Sequence, residues 1–277
     1  MYRPDLRTEN RSILNILTGF ANGKQKHPEY TESDLRTGNR NILNILNRIC
    51  EKETEMSRYD TRIARIMAKI DAMRDREFTI SCGEWPPVWK PPLSEQQVSG
   101  FEREKGIRLP EDYRRFITTT AASGSQPFYG LELPLRQKDG HPEKPFPYNQ
   151  NNILYFLYMT EEEMDRYYDD ETHDSGEGLL WLCTEGCGMD SVLVVNSPDP
   201  ETYGTVWYFD LANDCGIIPL RDKNTGKPFH FLDWLEYFAD RTAALGDDEY
   251  FGYAETAWIP DPPDNPEIMG RKMGWIK

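Results

Sequence analysis

LSEQQVSGFEREKGIRLPEDYRRFITTTAASG, running from Leu93 to Gly124, decides the fold. Ser94 followed three residues later by Gln97 is a capping box, so a helix opens here. Val98 and Phe101 fall on its inward face, and Gly106 stops it, because glycine accepts the left-handed conformation that ends a helix. Pro110 stands where the next helix begins, at a position that needs no amide donor. Tyr113, Phe116 and Ile117 form that helix's apolar face. Two short amphipathic helices in tandem need a common apolar surface, since neither is long enough to persist alone.

The following sequence supplies that surface. Phe128–Leu133 and Ile153–Tyr158 read as strands, and Thr160 with Glu163 caps a short acidic helix. Three more strand candidates follow closely: Gly178–Cys183, Ser191–Asn196 and Thr205–Phe209. The turns between them, EGCG and SPDPETYG, are too short for crossover helices, so the strands pair antiparallel. A closing helix over Phe229–Leu245 carries Leu232, Leu235, Phe238 and Ala239 as its buried stripe. The fold class is therefore α+β: an antiparallel strand meander flanked by helices, preceded by a helical N-terminal extension.

In that extension, DLRTENRSILNIL (Asp5–Leu17) returns as DLRTGNRNILNIL (Asp34–Leu46), with eleven of thirteen positions identical at a period of 29 residues. Both copies place apolar residues at helical spacing, and two copies are too few for a solenoid. A third helix, Met56–Arg76, carries Ile63, Ile66, Met67, Ile70 and Met73 on one stripe, flanked by Arg62, Arg65, Lys69 and Arg74. The stripe suits packing within the protein, or docking and self-association. SCGEWPPVWKPP (Ser81–Pro92) then forms a semi-rigid connection in which Trp85 and Trp89 pin the chain to the main domain. The expected division is residues 1–80 as helical extension, 81–92 as linker, 93–245 as main domain and 246–277 as an irregular surface-wrapping tail.

The order of elements resembles the SUKH superfamily, which includes fungal cell-wall assembly regulators and many bacterial immunity proteins. Its opening pattern is matched by Phe101-Glu102, then Leu109-Pro110-Glu111-Asp112-Tyr113 and Phe116. GLLWLCTEGCGMDSVLVV is similar to its strand, Gly-x-Gly turn, strand unit, with Gly186 and Gly188 in the turn. YGTVWYFDLANDCGIIPL supplies Gly204, Val206, Trp207 and Asp210, and FLDWLEYFAD matches the final helix. The resemblance spans Leu93–Leu245. The N-terminal segment lies outside it, and Gln126–Asn152 and the tail exceed a minimal domain. On the residues alone, Gly186 and Gly188 permit a tight turn, Trp207 anchors a core, and Asp210 makes turn hydrogen bonds. The resemblance implies a non-enzymatic immunity protein that occludes a cognate toxin domain, basic and often a nuclease. The fungal branch implies a regulatory scaffold instead, and an unrecognised enzyme is a third possibility.

Charge agrees with protein binding. The chain carries a net charge of −15. Residues 1–80 hold 15 Lys and Arg against 12 Asp and Glu, so the remainder is at −18. Such a domain does not bind nucleic acid by phosphate neutralisation, and it attracts basic partners. The N-terminus shows no signal-peptide core, no apolar run is long enough to span a membrane, and the five cysteines are an odd number, which together suggest a reducing cytoplasm. No cofactor or metal is expected: His27, His141, His173 and His230 are scattered, and Cys183 and Cys187 read as buried thiols. His141-Pro142-Glu143 lacks the P-C-x-x-C of zinc deaminases, and Thr225-Gly226-Lys227 lacks the first glycine of a phosphate loop. No catalytic residue is nominated. The candidate partner-binding residues are Glu161, Glu162, Asp165, Tyr167, Tyr168, Asp169, Asp170, Glu171 and Asp174, because aromatics among carboxylates suit an anchored interface with a charged rim.

Overall fold

The computed structural model describes residues 54, 58–76, 83–137, 140–169, 176–246 and 249–260. The duplicated segment, and with it the expected helices over Asp5–Leu17 and Asp34–Leu46, lies outside the described residues, as do Asp170, Glu171 and Asp174. The elements below belong to one unit, Met56–Lys277.

A helix over residues 58–71 (α1) comes first. Glu95–Lys105 (α2) and Glu111–Thr119 (α3) form the tandem pair. Ser94 and Gln97 make the capping box in both directions, and Gly106 closes α2 at φ 65°. Pro110 is the N-cap of α3, one position earlier than expected. Asp112 explains the acidic pair after the Leu-Pro motif. Its buried carboxylate accepts the amides of Tyr113 (2.8 Å) and Leu232 (3.1 Å), tying the start of α3 to the start of the last helix. Burial pushes its pKa up, against those two amide donors.

The sheet has five antiparallel strands in the order β1-β5-β4-β3-β2: Leu154–Tyr155 (β1), Leu179–Gly186 (β2), Met189–Val194 (β3), Val206–Asp210 (β4) and Gly216–Pro219 (β5). The β2–β3 hairpin turns on Cys187 and Gly188 at φ 54° and 78°, the pair of positive values that a two-residue turn of matched twist requires. β1 reaches β5 at Gly216, where a side chain would stand 2.1 Å from the Leu154 carbonyl oxygen.

Three expectations change. Phe128–Leu133 is not a strand: Phe128 and Gly130 have φ of 49° and 121°, which breaks the extended run. Only the amides of Tyr129 and Glu132 reach β2, at Thr184 and Leu182. Ile153–Tyr158 shortens to β1 and a 3-10 turn over Phe156–Tyr158. Cys187 is exposed, while Cys183 is buried as expected.

Alternation along the strands serves two cores. Leu180, Leu182, Leu193, Val206 and Tyr208 point to one face, under α2, α3 and the closing helix Phe231–Ala244 (α5). Ile63, Ile66 and Ile70 of α1 join that core, and Trp89 packs edge-on against Phe116 at 6.3 Å. Leu179, Val192, Val194, Trp207 and Ile217 point the other way, onto Phe146, Leu154 and Phe156. Residues 249–260 do more than wrap the surface. Tyr253 is fully buried, stacks on Trp234 at 5.2 Å and donates its hydroxyl to the Trp234 carbonyl.

Candidate partner-binding surface

The second core is closed by a short acidic helix, Glu161–Asp169 (α4). It starts where expected. Thr160 Oγ1 accepts the Glu163 amide (3.3 Å), and Glu163 Oε2 accepts the Thr160 amide (2.8 Å). The Thr160 amide first, and then its hydroxyl, which donates to the same Oε2 at 3.0 Å, hold the Glu163 carboxyl below its ordinary range. Carboxylates in a first turn also suit the helix dipole. Met164 and Tyr167 face the domain, which leaves Glu161, Glu162, Asp165 and Asp169 exposed on the outer side. None of these four has an ion-pair partner among the described residues, and Arg166 turns back to the Glu162 carbonyl (3.2 Å).

The two tyrosines separate, as helix geometry demands of consecutive residues. Tyr167 is half-buried, edge-on to Phe156 at 5.2 Å, so it anchors the helix to its own domain. Tyr168 is 57% exposed. Its ring stacks on Phe156 at 5.6 Å, and its hydroxyl donates to Asp214 in the turn after β4. That bond, ahead of burial, pushes the phenol up to about 12.

Through Asp214 the acidic helix continues into the turn end of the sheet, which the sequence reading did not nominate. Asn213 donates to the Cys187 carbonyl (3.1 Å) and to Asp210 (2.7 Å), joining the two turns. Tyr129, 60% exposed, lies against Gly186. Below them Glu185 accepts the Tyr253 amide at 3.1 Å. Burial first, then the charges of Asp190, Asp210 and Glu255, push its carboxyl up to about 8 against that amide donor. The sequence reading ended the strand at Cys183 and left Glu185 in the EGCG turn, whereas β2 runs on to Gly186 and carries Glu185 with it.

No catalytic arrangement comes together at these groups. The exposed His141 meets Glu143 at 3.2 Å, and His230 sits at the start of α5, where its amide donates to Asp233. Cys215 is half-buried and its thiol is pushed up to about 11, chiefly by burial. Among the described residues no three His, Cys, Asp or Glu side chains could hold a metal ion, and no helix is long and apolar enough to cross a membrane. A groove of about 550 Å³ between α2 and residues 134–142 is lined by Phe101, Leu135, Leu180 and the amides Gln96 and Gln137. Gln137 is already engaged: its amide brackets the Trp181 backbone at 2.6 and 2.7 Å, covering the free edge of β2.

Comparison with curated proteins and with solved structures returned no match. Comparison with family models did: the SMI1 / KNR4 family (SUKH-1) model matches residues 92–240, from the end of the proline-rich connection into α5. The matched stretch covers more than half of the chain and contains both tandem helices, the whole sheet and the turns that carry the motifs, so the chain belongs to the SMI1 / KNR4 family (SUKH-1).

Proposed function

We propose that this protein is an immunity-type binding module that occupies a basic toxin domain of the nuclease kind and blocks it. Family membership supports a binding role of the immunity or SMI1/KNR4 type, in a family whose members are generally non-enzymatic. The observation that carries the finer reading is the outer face of α4. Four exposed carboxylates stand there without a cation among the described residues, on a chain of net charge −15. A domain that acts on nucleic acid presents Lys and Arg to phosphates. A rigid negative surface competes for the same cations, steers the encounter and occludes the channel. The work is done in the cytoplasm, where such a toxin meets its target.

Co-expression tests this. The reading requires a toxin domain encoded beside this chain's gene that arrests growth alone and fails to do so with this protein present; a gene neighbourhood without one counts against it. The two should also co-purify at nanomolar affinity, about −12 kcal/mol. Growth arrest that this protein does not relieve sinks the reading. The scaffold alternative, in which the duplicated segment Asp5–Leu46 docks a partner or a second copy, is separated by truncation. Removing residues 1–55 spares α1, whose Ile63, Ile66 and Ile70 belong to the main core. Immunity keeps neutralisation after that cut; a scaffold loses its interactions.

A further inference from the structure

We infer that the turn end of the sheet, between Tyr129 and Tyr168, is the contact surface for the partner, and that it receives a cationic protein segment carrying Arg or Lys beside an apolar residue. The inference rests on the binding function proposed above and names the place where that binding occurs.

The surface is continuous in the coordinates. Tyr129 lies on Gly186, with a ring carbon 3.0 Å from where a side chain would begin. A side chain on Gly188 would stand 2.4 Å from Cβ of Ala212, so the β2–β3 and β4–β5 turns touch. Asn213 bonds to Cys187, and Asp214 accepts from Tyr168. Two exposed aromatic rings therefore flank a stretch of glycine, alanine and other small side chains.

The ring of Tyr168 and the backbone of Tyr129 are held before any partner arrives. Tyr168 is fixed by Phe156 and Asp214. Tyr129 follows a residue with φ 49°, and its amide is bonded to Thr184 of β2. Exposed, preorganised tyrosines offer a large contact area at small entropic cost, which is how a few aromatic residues come to dominate an interface. Both rings are large apolar groups that the fold itself leaves outside, since folding buried Tyr113, Tyr208 and Tyr253 completely or nearly so.

Charge selects the occupant. Asp190 and Asp214 border this end, and neither has an ion-pair partner among the described residues, while Asp210 is buried and accepts from Asn213. Asp169 follows Tyr168 directly and is exposed. An acidic segment would be repelled, and a purely apolar one would leave those carboxylates without counter-charge. A basic one supplies what the surface lacks.

The test uses the full chain and, as probe, the catalytically inactivated toxin domain encoded beside its gene. Dissociation constants are measured for wild type, Tyr129→Ala, Tyr168→Ala and Asn224→Ala, with melting temperature recorded for each. Asn224 is exposed in the turn after β5, at the other end of that strand from the β4–β5 turn, and serves as the reference substitution. We expect each tyrosine variant to bind about 30-fold more weakly or worse, through faster dissociation, with an unchanged melting temperature for Tyr129→Ala and a small fall for Tyr168→Ala, which also loses its contacts with Phe156 and Asp214. Asn224→Ala should bind as wild type does. Wild type that binds, with both tyrosine variants within twofold of it, overturns the surface and leaves the function standing. Wild type that does not bind the probe overturns both.

Discussion

The two faces of the sheet are closed in different ways. On one, α1 lays Arg62, Arg65 and Lys69 against α5. Arg62 reaches Asp233 at 2.6 Å and Glu236 at 3.0 Å, Arg65 reaches Glu236 at 2.9 Å, and Lys69 reaches Glu236 at 3.0 Å and Asp240 at 2.6 Å. Burial alone would raise Glu236, yet these cations hold it below its ordinary range. On the other face, α4 lays Met164 and Tyr167 on the smaller core and turns Glu161, Glu162, Asp165 and Asp169 outward with no cation among the described residues. Where charge crosses between elements of the same domain it is neutralised. Where it faces out it is left over, and leftover charge is what a partner can use.

The contrast breaks first at Ile66, which is completely buried in α1. If α1 is part of the domain, Ile66→Ala leaves a cavity and costs about 2–5 kcal/mol in urea unfolding. A loss below about 1 kcal/mol would mean that α1 rides on the surface and that its ion pairs hold an accessory element.

That α1 belongs to the main core could not be read from the proline-rich connection, which looks like a domain boundary. Neither cause of its docking is local: the apolar stripe needs α5 as a partner, and Trp85 anchors the connection by donating to the Met73 carbonyl at 3.3 Å. Features fixed by neighbouring residues were legible. Ser94–Gln97, Gly106, Thr160–Glu163 and the positive φ of Gly186 and Gly188 in the β2–β3 turn all behave as their spacing implies, whereas Cys187 does not take the buried place expected of it. β5 was not, because its four residues are buried on both faces and show no alternation. Phe128–Leu133 has the apolar content of a strand, but its backbone angles follow from distant packing. Phe128 sits among Phe238, Phe251 and Tyr253, and the latter two come from the tail. For the candidate surface, sequence brought the carboxylates of α4 into one stretch. It could not show that Tyr167 turns inward, or that Tyr168 reaches across to a turn 46 residues away.

The next effect in size is a pH dependence centred on Glu185. Its folded pKa, about 8, lies above the ordinary 4.5, so between those values the folded state holds a proton that the unfolded chain has released. As far as this group is concerned, stability is therefore full below pH 4.5, falls as pH rises towards 8 and levels off beyond. After allowance for its residual exposure the loss is on the order of 2 kcal/mol. Glu185→Gln cannot ionise, so urea midpoints at pH 5, 7 and 9 should decline less for the variant than for wild type. Parallel declines would remove Glu185 as the cause.

Glu236→Gln probes the paired face. The side chain is 15% exposed and serves three cations, so its loss should exceed that of a lone surface pair, at about 1–2 kcal/mol. The cost should shrink between 0.05 and 0.5 M salt, because the neighbouring cations are partly solvated and therefore screened. A cost independent of salt would point to the lost hydrogen bonds from Arg62, Arg65 and Lys69 rather than to screened charge.

The smallest expected effect on folding is at α4, and that is what gives it meaning. Glu161→Gln, Glu162→Gln and Asp165→Asn combined remove three negative charges that contact no cation among the described residues. Self-repulsion along the helix falls while some helix-dipole stabilisation is lost, so the net change should stay within about 0.5 kcal/mol. Association with a basic partner should respond far more. Steering acts over a Debye length, so the association rate should drop about tenfold at low salt, and its salt dependence should flatten with little change in dissociation. A triple variant that is equally stable but slower to bind shows that the leftover charge acts on the encounter. One that is measurably more stable and binds as fast shows only a strained, solvated helix. Because folding and encounter are separate readouts, the paired and unpaired faces can be told apart without knowing where on the partner the cations lie.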